Sequence, residues 1–254
     1  MSKIALITGA TSGIGRATAV AFAKEGINLI VTGRRVQLLS DLATELEEEY
    51  HINVLTLPFD VRVLSQVEQY LCNLPEEWKK IDILVNNAGL AVGLDPVNSG
   101  LVEDWERMID TNIKGILYVS RIVSGLMIKA GDGGHIINIG SIAGKSVYPN
   151  GNVYCATKHA VDALSRAMSM DLFKHKIRVS QVSPGAVETE FSNVRFKGDI
   201  ERASGVYKGF IPLSPSDVAD VILFVVKAPS HVNISDVVVM PSAQASATMI
   251  DRED

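Results

Sequence analysis

The stretch KIALITGATSGIG, residues 3–15, places a glycine-rich turn between a predicted strand and a predicted helix. The run up to Thr8 is mostly apolar and β-branched, which is typical of a buried strand. Gly9, Gly13 and Gly15 follow it and open an alanine-rich segment. Free backbone N–H groups and the positive end of the helix dipole converge at such a turn, so the stretch predicts a phosphate site.

Two other roles are possible for this turn besides dinucleotide binding. A mononucleotide P-loop requires Gly-Lys-Ser/Thr, but here Gly15 is followed by Arg16 and Ala17. The P-loop is therefore disfavoured. A purely structural role, in which the glycines only make a tight turn, stays open on these residues alone. The GxxxGxG spacing also differs from the commoner GxGxxG.

The rest of the chain alternates short β-branched runs with longer segments of helical periodicity. This alternation predicts an α/β fold with a parallel sheet and helices on both faces. Apolar residues from Trp105 to Leu126 recur every three or four positions and predict one long amphipathic helix. The predicted strands are residues 3–8, 28–32, 53–57, 82–85, 135–140, 177–182 and 236–240.

The predicted domain organisation is a single domain, residues 1–254, with two additional segments. The longest irregular stretch runs from Ser183 to Pro215, and a loop of that length in a small domain usually has a function. We therefore expect residues of about 186–214 to cover a site. The carboxyl-terminal arm, about 241–254, has few large apolar residues and would either dock on a neighbouring subunit or fray.

Composition excludes several functional classes. The net charge is −5 and no block of basic residues is present, so we expect no nucleic-acid partner. No apolar run approaches the roughly 18 residues of a membrane span, so no membrane partner is expected. Cys72 and Cys155 are the two cysteines, and neither CxxC nor HExxH occurs. We therefore expect no metal, and a reducing, cytoplasmic location.

The second predicted strand ends in LIVTGRR, residues 29–35. Dinucleotide folds usually carry an acid here that binds the adenosine ribose, but this chain has Gly33. Without that acid, the guanidinium groups of Arg34 and Arg35 can bind a 2′-phosphate. The sequence therefore predicts NADP rather than NAD. The alternative is that both arginines simply begin a surface helix.

Further motifs follow the predicted strands in order. They are Asp60-Val61 after the third strand, NNAG (86–89) after the fourth, Ser141 after the fifth and PGAVET (184–189) after the sixth. Open α/β sheets bind ligands at the carboxyl ends of their strands. Taken with GxxxGxG and a YxxxK pair, Tyr154 and Lys158, this order resembles the short-chain dehydrogenase/reductase family over nearly the whole chain.

The resemblance implies a seven-stranded parallel Rossmann sheet, usually in homotetramers, and it implies how the cofactor is bound. Expected cofactor contacts fall on the glycine turn for the pyrophosphate, after the third strand for adenine, and after the fourth and sixth strands for the nicotinamide side. These residues are Gly9, Thr11, Ser12, Gly13, Ile14 and Gly15; Asp60 and Val61; Asn86, Asn87, Ala88 and Gly89; and Pro184, Gly185, Val187 and Thr189.

The resemblance also implies a catalytic set of Ser141, Tyr154 and Lys158, with Asn112 completing a proton relay to Lys158. Tyr154 and Lys158 would contact the cofactor as well, and Ser141 and Tyr154 would contact the substrate.

Four-residue spacing places Tyr154 and Lys158 on one helix face. A positive charge about 4 Å from the phenol oxygen would stabilise the phenolate by about 4 kcal/mol at an effective dielectric of roughly 20. We therefore expect the Tyr154 pKa to fall from about 10 towards about 7. The alternative is a lysine that snorkels to water beside a packed tyrosine.

The substrate is less explicit in the sequence. The stretches 83–93, 103–115, 151–158 and 189–199 resemble the NADP-dependent 3-hydroxy acid dehydrogenases, which oxidise serine, L-allo-threonine and related acids. A substrate carboxylate needs a cation, for which Arg195 is the preferred candidate and Lys197 the second. Glu190 is a candidate for selecting an amino group. The alternatives are a broad carbonyl or 3-oxoacyl reductase, and an NADP-binding regulator without turnover.

Overall fold

A single parallel sheet organises the computed structural model, which describes residues 2–253. The strands in this part of the chain are β1 (Ile4–Thr8), β2 (Asn28–Thr32), β3 (Val54–Leu57), β4 (Ile83–Asn86), β5 (Gly134–Ile139), β6 (Ile177–Pro184) and β7 (Asp236–Val239). Their spatial order is β3-β2-β1-β4-β5-β6-β7, so the order reverses between β1 and β4. The predicted seven-stranded Rossmann fold is confirmed, with strand ends shifted by one or two residues.

Helices connect the strands and cover both faces of the sheet. They are α1 (Gly13–Lys24), α2 (Val36–Tyr50), α3 (Leu64–Leu71), α4 (Val102–Ile109), α5 (Gly115–Ala130), α6 (Asn152–Leu172), α7 (Phe191–Arg195), α8 (Ile200–Gly205) and α9 (Pro215–Lys227). Within residues 2–253, no helix combines the length and apolar character that a membrane span requires.

Two hydrophobic layers hold the helices on the sheet. On one face, fully buried Phe22 of α1, Leu46 of α2 and Val225 of α9 pack together with strand residues. On the other face, Leu71 of α3 and Val123 of α5 are equally buried. Because helices cover both faces of the sheet, β1 is buried along its whole length, and its sequence is a nearly continuous apolar run.

The predicted long helix from Trp105 to Leu126 is interrupted by one wide turn. Residues Asp110–Lys114 form a π-helical turn between α4 and α5, while the chain stays helical throughout. Such wide turns inside α-helices often occur at functional sites. This turn carries Asn112, whose exposed fraction is only 1%. Apolar periodicity predicted the helix, but a single inserted turn hardly changes that pattern.

The segment 186–214, here called the covering segment, is not entirely irregular, because α7 and α8 lie within it. Its isolated bridge from Val187 to Leu213 brings its two ends together. The carboxyl-terminal arm up to Glu253 contacts this segment of its own chain, while its docking on a neighbouring subunit stays a prediction. Arg252 donates to the carbonyls of Val206 and Lys208, and the Glu253 N–H donates to the carbonyl of Gly209. Asp254 lies outside the described residues.

A buried histidine lies near the amino end of β5. His135, the second residue of β5, has 2% of its surface exposed, and its Nε2 lies 2.8 Å from the Ser180 hydroxyl. Burial, with smaller contributions from the charges of Arg178 and Lys3, lowers its pKa to about 3. An unfolded histidine has a pKa of about 6.5, so the unfolded chain binds the proton more tightly. Its contribution to stability is therefore complete above about pH 6.5 and is lost as the pH falls towards 3.

We predict that His135→Gln makes the unfolding free energy less dependent on pH. In the parent, protonation of His135 in the unfolded chain should lower the free energy of unfolding by about 1.4 kcal/mol between pH 7.5 and pH 5.5. This loss should be absent in the variant. Urea unfolding at both pH values measures the difference. His231→Gln, at an exposed position, is the matched control. An unchanged pH dependence in His135→Gln would contradict the assignment.

Candidate active site

The glycine turn follows β1 at the point where the strand order reverses. Gly9 and Gly13 have positive φ angles of 66° and 53°, which favour glycine. A Cβ on Gly15 would lie 2.4 Å from the Gly9 carbonyl oxygen, so α1 can begin this close to the strand only with glycine there. The Asn87 side chain donates to the carbonyls of Thr8 and Gly9 at 2.9 and 3.1 Å and ties the turn to β4.

The start of α1 fits an anionic group. Ser12 is the N-cap residue, but its hydroxyl accepts from Arg35 at 2.8 Å and makes no side-chain cap to the first turn among the described residues. Backbone N–H groups at a helix start carry partial positive charge and favour phosphate oxygens. Thr189 lies beside the same turn, because a Cβ on Gly13 would be 3.3 Å from its Cγ2. The residues present therefore fit a dinucleotide pyrophosphate.

The two arginines after β2 lie beside this turn. Arg35 donates to the hydroxyls of Thr11 and Ser12 and forms an ion pair of 3.1 Å with Glu190. Glu190 thus faces the arginine pair in this structure. Arg34 Nη1 lies 3.8 Å from the Asp60 carboxylate. A 2′-phosphate would meet two cations here and no acid at position 33, where the chain has glycine.

The residues expected at adenine follow β3. Although burial raises the pKa of Asp60, hydrogen bonds from Arg62 and the charge of Arg34 hold it below its usual range. The Asp60 carboxylate therefore stays ionised. Val61 is buried against Gly115, where a Cβ would lie 2.8 Å from its Cγ2.

The residues that follow β6 continue the same edge of the sheet. The Gly185 N–H donates to the Val239 carbonyl at 2.8 Å, and a Cβ on Gly185 would lie 2.4 Å from Gln244 Oε1. That oxygen also accepts from the Ala186 N–H at 2.8 Å. The carboxyl-terminal arm therefore fixes the beginning of the covering segment, next to Pro184.

Helix α6 carries the tyrosine and the lysine of the YxxxK pair. Tyr154 and Lys158 are 8% and 6% exposed, so the lysine does not snorkel to water. The Lys158 ammonium donates to the Ile139 carbonyl at 2.9 Å and lies 6.0 Å from the centre of the Tyr154 ring. Both reactive groups are thus held at the carboxyl end of β5.

Ser141, the next candidate, lies just beyond β5 and is 8% exposed. Its hydroxyl accepts from the Ala143 N–H at 3.1 Å, and it is near enough to the phenol of Tyr154 to act against the rise of the Tyr154 pKa. Ser141 and the phenol are therefore neighbours in the structure.

Asn112 is brought to the same centre by the π-helical turn. Its side chain exchanges two hydrogen bonds with the backbone of Leu90, at 2.9 and 2.8 Å, and donates to Thr157 at 3.0 Å. A Cβ on Gly89 would lie 3.3 Å from Asn112 Oδ1 and 3.6 Å from Lys158 Nζ. The side-chain amide is therefore used to hold the β4 loop. A relay from Asn112 to Lys158 remains a prediction.

The expected lowering of the Tyr154 pKa does not occur in this structure. Burial and the neighbouring Tyr148 raise the pKa above its ordinary value, and the opposing effects of Ser141 and Arg195 are smaller. The sequence expectation counted the charge of Lys158 and did not include the burial of the phenol, and the ammonium itself donates to the Ile139 carbonyl. Burial lowers the pKa of Lys158 itself to about 8.

Arg195 of α7 reaches the catalytic centre from the covering segment. Its Nη2 donates to the Tyr148 hydroxyl at 3.0 Å, and its guanidinium carbon lies 5.3 and 5.8 Å from the ring centres of Tyr148 and Tyr154. Its buried Nε–H has no hydrogen-bond partner within the described part of the chain. Lys197 instead binds Asp104 of α4, at 2.7 Å. Of the two candidate cations, Arg195 is the one beside Tyr154.

Sequence reasoning missed Tyr148 and Asp104. Tyr148 lies in a loop before α6, where no periodicity marks a side chain that contacts Arg195. Asp104 lies in the first turn of α4, where an acid is ordinarily explained by the helix dipole. Both contacts join elements far apart in sequence, and no spacing rule applies to them.

The chain belongs to the short chain dehydrogenase family, whose model matches residues 3–199. It is 47% identical to the NADP-dependent 3-hydroxy acid dehydrogenase YdfG of Salmonella typhi, over 96% of this chain and 97% of that protein. It is 43% identical to sulfoacetaldehyde reductase 2 of Chromohalobacter salexigens over the full length of both. A closed serine dehydrogenase complexed with NADP+ superposes with a TM-score of 0.90, at 46% identity over 96% of this chain and 97% of that one.

We predict that Lys158→Met stabilises the folded protein. The folded pKa of about 8 lies below the unfolded value of 10.5, so the buried charge costs stability below about pH 8 and ceases to do so above about pH 10.5. At pH 7 this cost is about 3 kcal/mol, and the lost hydrogen bond to Ile139 offsets roughly 1 kcal/mol of the gain.

Chemical unfolding at pH 7 measures this change, and we expect the unfolding free energy to rise by about 1–2 kcal/mol. Lys24→Met, at an exposed position in α1, is the matched control. A less stable Lys158→Met variant would show that the ammonium is compensated inside the protein.

Proposed function

We propose that this protein is an NADP-dependent dehydrogenase that transfers hydride between nicotinamide and a 3-hydroxy acid such as serine or L-allo-threonine. The observation that carries the substrate class is Arg195, a half-buried cation beside Tyr154 whose buried Nε–H has no partner in the described residues. The hydroxyl and carboxyl groups of a 3-hydroxy acid are separated by two carbon–carbon bonds. One small molecule can therefore reach both the phenol and the guanidinium. The relatives named as 3-hydroxy acid and serine dehydrogenases support this proposal.

Bound NADP would supply the nicotinamide carbon that accepts or returns the hydride. For its pyrophosphate we propose the turn after β1, and for its 2′-phosphate Arg34 and Arg35. The other proposed contacts follow β3, β4 and β6 and include Lys158 and Tyr154. In full, the proposed cofactor residues are Gly9, Thr11, Ser12, Gly13, Ile14, Gly15, Arg34, Arg35, Asp60, Val61, Asn87, Ala88, Gly89, Tyr154, Lys158, Pro184, Gly185, Val187 and Thr189.

Proton transfer is proposed to run through Tyr154. In oxidation, its phenolate oxygen takes the proton of the substrate hydroxyl, and in reduction the phenol returns it to the carbonyl oxygen. Ser141 lies beside the phenol and is proposed to hold the same substrate oxygen. An ammonium at Lys158 would favour the phenolate, against the burial that raises the Tyr154 pKa in this structure. Asn112 keeps the β4 loop against Lys158.

The runner-up function is a broad carbonyl or 3-oxoacyl reductase with the same catalytic residues. A large neutral ketone would lie beside the half-buried Arg195 and give its charge no partner, whereas a substrate carboxylate would supply one. An NADP-binding regulator without turnover is the third possibility. The presence of Ser141, Tyr154, Lys158 and Asn112 in one buried centre argues against it.

A cytoplasmic homotetramer is the location and assembly that we propose. Cys72 and Cys155 are both free thiols, which suits a reducing compartment. Apolar side chains on the outer surface, such as Phe224 of α9 at 66% exposure and Val238 of β7 at 44%, suit an interface between copies. Light scattering of the purified protein determines its assembly.

We predict that Arg195→Leu separates acidic from neutral substrates. Loss of a buried charge-assisted contact should lower kcat/KM for serine by about 100-fold, while reduction of a small neutral diketone changes less than about threefold. Steady-state assays with serine, L-allo-threonine, 3-hydroxyisobutyrate, sulfoacetaldehyde and diketones test this. Arg202→Leu, an exposed position in the same segment, is the control. Equal losses on acidic and neutral substrates would reject the proposed carboxylate site.

We also predict that the double variant Arg34→Ala/Arg35→Ala loses its preference for NADP. Each charge-assisted contact to a phosphate contributes about 1.5–3 kcal/mol, so the ratio of kcat/KM values for NADP and NAD should fall at least about 100-fold. Arg16→Ala serves as the control, since its guanidinium binds Glu45 on the surface. An unchanged ratio would contradict the role of both arginines.

A further inference from the structure

We propose that Asp104 and Lys197 form a latch that holds the covering segment closed, and that Asp104 is a positioning residue for Arg195. This inference rests on the proposed function of Arg195 in binding the substrate acid group. The latch joins the first turn of α4 to the residue two places after Arg195. Among the described contacts, neither side chain bonds to Tyr154 or Lys158, and Asp104 lines the cavity that Tyr154 also borders.

Two attachments hold the chain at Arg195 and two residues after it. The Arg195 carbonyl accepts from the Gly93 N–H at 3.0 Å. Lys197 Nζ lies 2.7 Å from Asp104 Oδ2. Gly93 joins the two attachments, because a Cβ at this residue would lie 3.0 Å from that same carboxylate oxygen. The backbone of residues 195–197 is therefore fixed to α4 and to the loop that follows β4.

The burial of Asp104 explains why this latch favours the closed arrangement of the covering segment. The Asp104 side chain is 13% exposed, whereas that of Lys197 is 48% exposed. When the covering segment lifts, the lysine can be solvated by water, but the carboxylate stays in its partly apolar setting beside Trp105 and Met108. A buried charge that loses its partner is unfavourable. The pair therefore favours the closed arrangement more than an exposed surface pair would.

The other attachments of the covering segment are of a different kind. Glu190, at its beginning, binds Arg35, but both side chains are about half exposed. The carboxyl-terminal arm holds the segment beyond α8, through Arg252 and Glu253. Arg195 lies between these two places. Among the described contacts, the latch is the ion pair nearest to Arg195 along the chain, so it is the pair best placed to set the position of the guanidinium.

The latch also accounts for the distribution of cations. Lys197 would compete with Arg195 for a substrate carboxylate if it were free, since both belong to the same short segment. Asp104 holds its ammonium on the α4 side, while Tyr148 holds the guanidinium over Tyr154. A single cation is thus presented to the substrate, in one position.

The test compares Asp104→Asn, Lys197→Met and the double variant with the parent enzyme. Each single variant should raise KM for serine about tenfold or more, with a smaller change in kcat and no change in NADP+ affinity. The double variant should be no worse than the worse single one, because the two residues act as a pair. Glu103→Gln, which removes an exposed carboxylate in the same helical turn, is the matched control.

Amide hydrogen exchange supplies a readout that does not depend on turnover. We expect faster exchange in residues 191–205 in both single variants and unchanged exchange in β1, β4 and β5. Unchanged KM and unchanged exchange would overturn the latch, as would a uniform rise in exchange across the sheet. Lys197→Met keeps the test valid if Asp104→Asn folds poorly, because the lysine is half exposed.

The outcomes also distinguish this inference from the proposed function. If Arg195→Leu impairs acidic and neutral substrates equally, the proposed carboxylate site is wrong. Faster exchange in residues 191–205 of the latch variants would then still establish the closure, but not its role in positioning Arg195. If Arg195→Leu is selective and the latch variants behave like Glu103→Gln, the function stands and the latch is wrong.

Discussion

The site depends on one buried ammonium. Lys158 contacts the Ile139 carbonyl at the end of β5 and faces the Tyr154 ring, and its low pKa records the cost of removing a charge from water. A helix carrying such a group must be held firmly against the sheet. The packing of α6 on β6 and on the turn after Ser141 supplies that constraint, since a Cβ on Gly144 would lie 2.6 Å from the Lys158 carbonyl oxygen.

The sheet brings the remaining groups to this ammonium. The strand order reverses between β1 and β4, so the glycine turn and the NNAG loop are neighbours, and Asn87 ties them together. The π-helical turn then brings Asn112 against Leu90, beside Lys158. The glycine turn and the π-helical turn are thus each explained by a contact at this centre. The two apolar layers hold most of the regular elements, and a third apolar cluster includes residues of α4 and α6.

The sequence was sufficient for the fold and for the residues near the sheet, because strand periodicity and the position of each motif after a strand are local properties. It was insufficient where tertiary contacts decide. Charge alone could not distinguish Arg195 from Lys197, and only the partner Asp104 does so. The Tyr154 pKa is raised rather than lowered, because burial of the phenol outweighs the neighbouring charges. The π-helical turn left no mark on apolar spacing, and Tyr148 lies outside any repeat.

The way the chain ends has a practical consequence for handling the protein. Gln244 is bonded to the start of the covering segment, and Arg252 and Glu253 contact its far side. Residues 244–253 thus support both ends of the segment that carries Arg195, although they are remote from it in sequence. An affinity tag or fusion partner placed after them would compete with these backbone contacts. Purification handles therefore belong at the amino end, and a deletion series should treat residues 244–253 as part of the support for the covering segment.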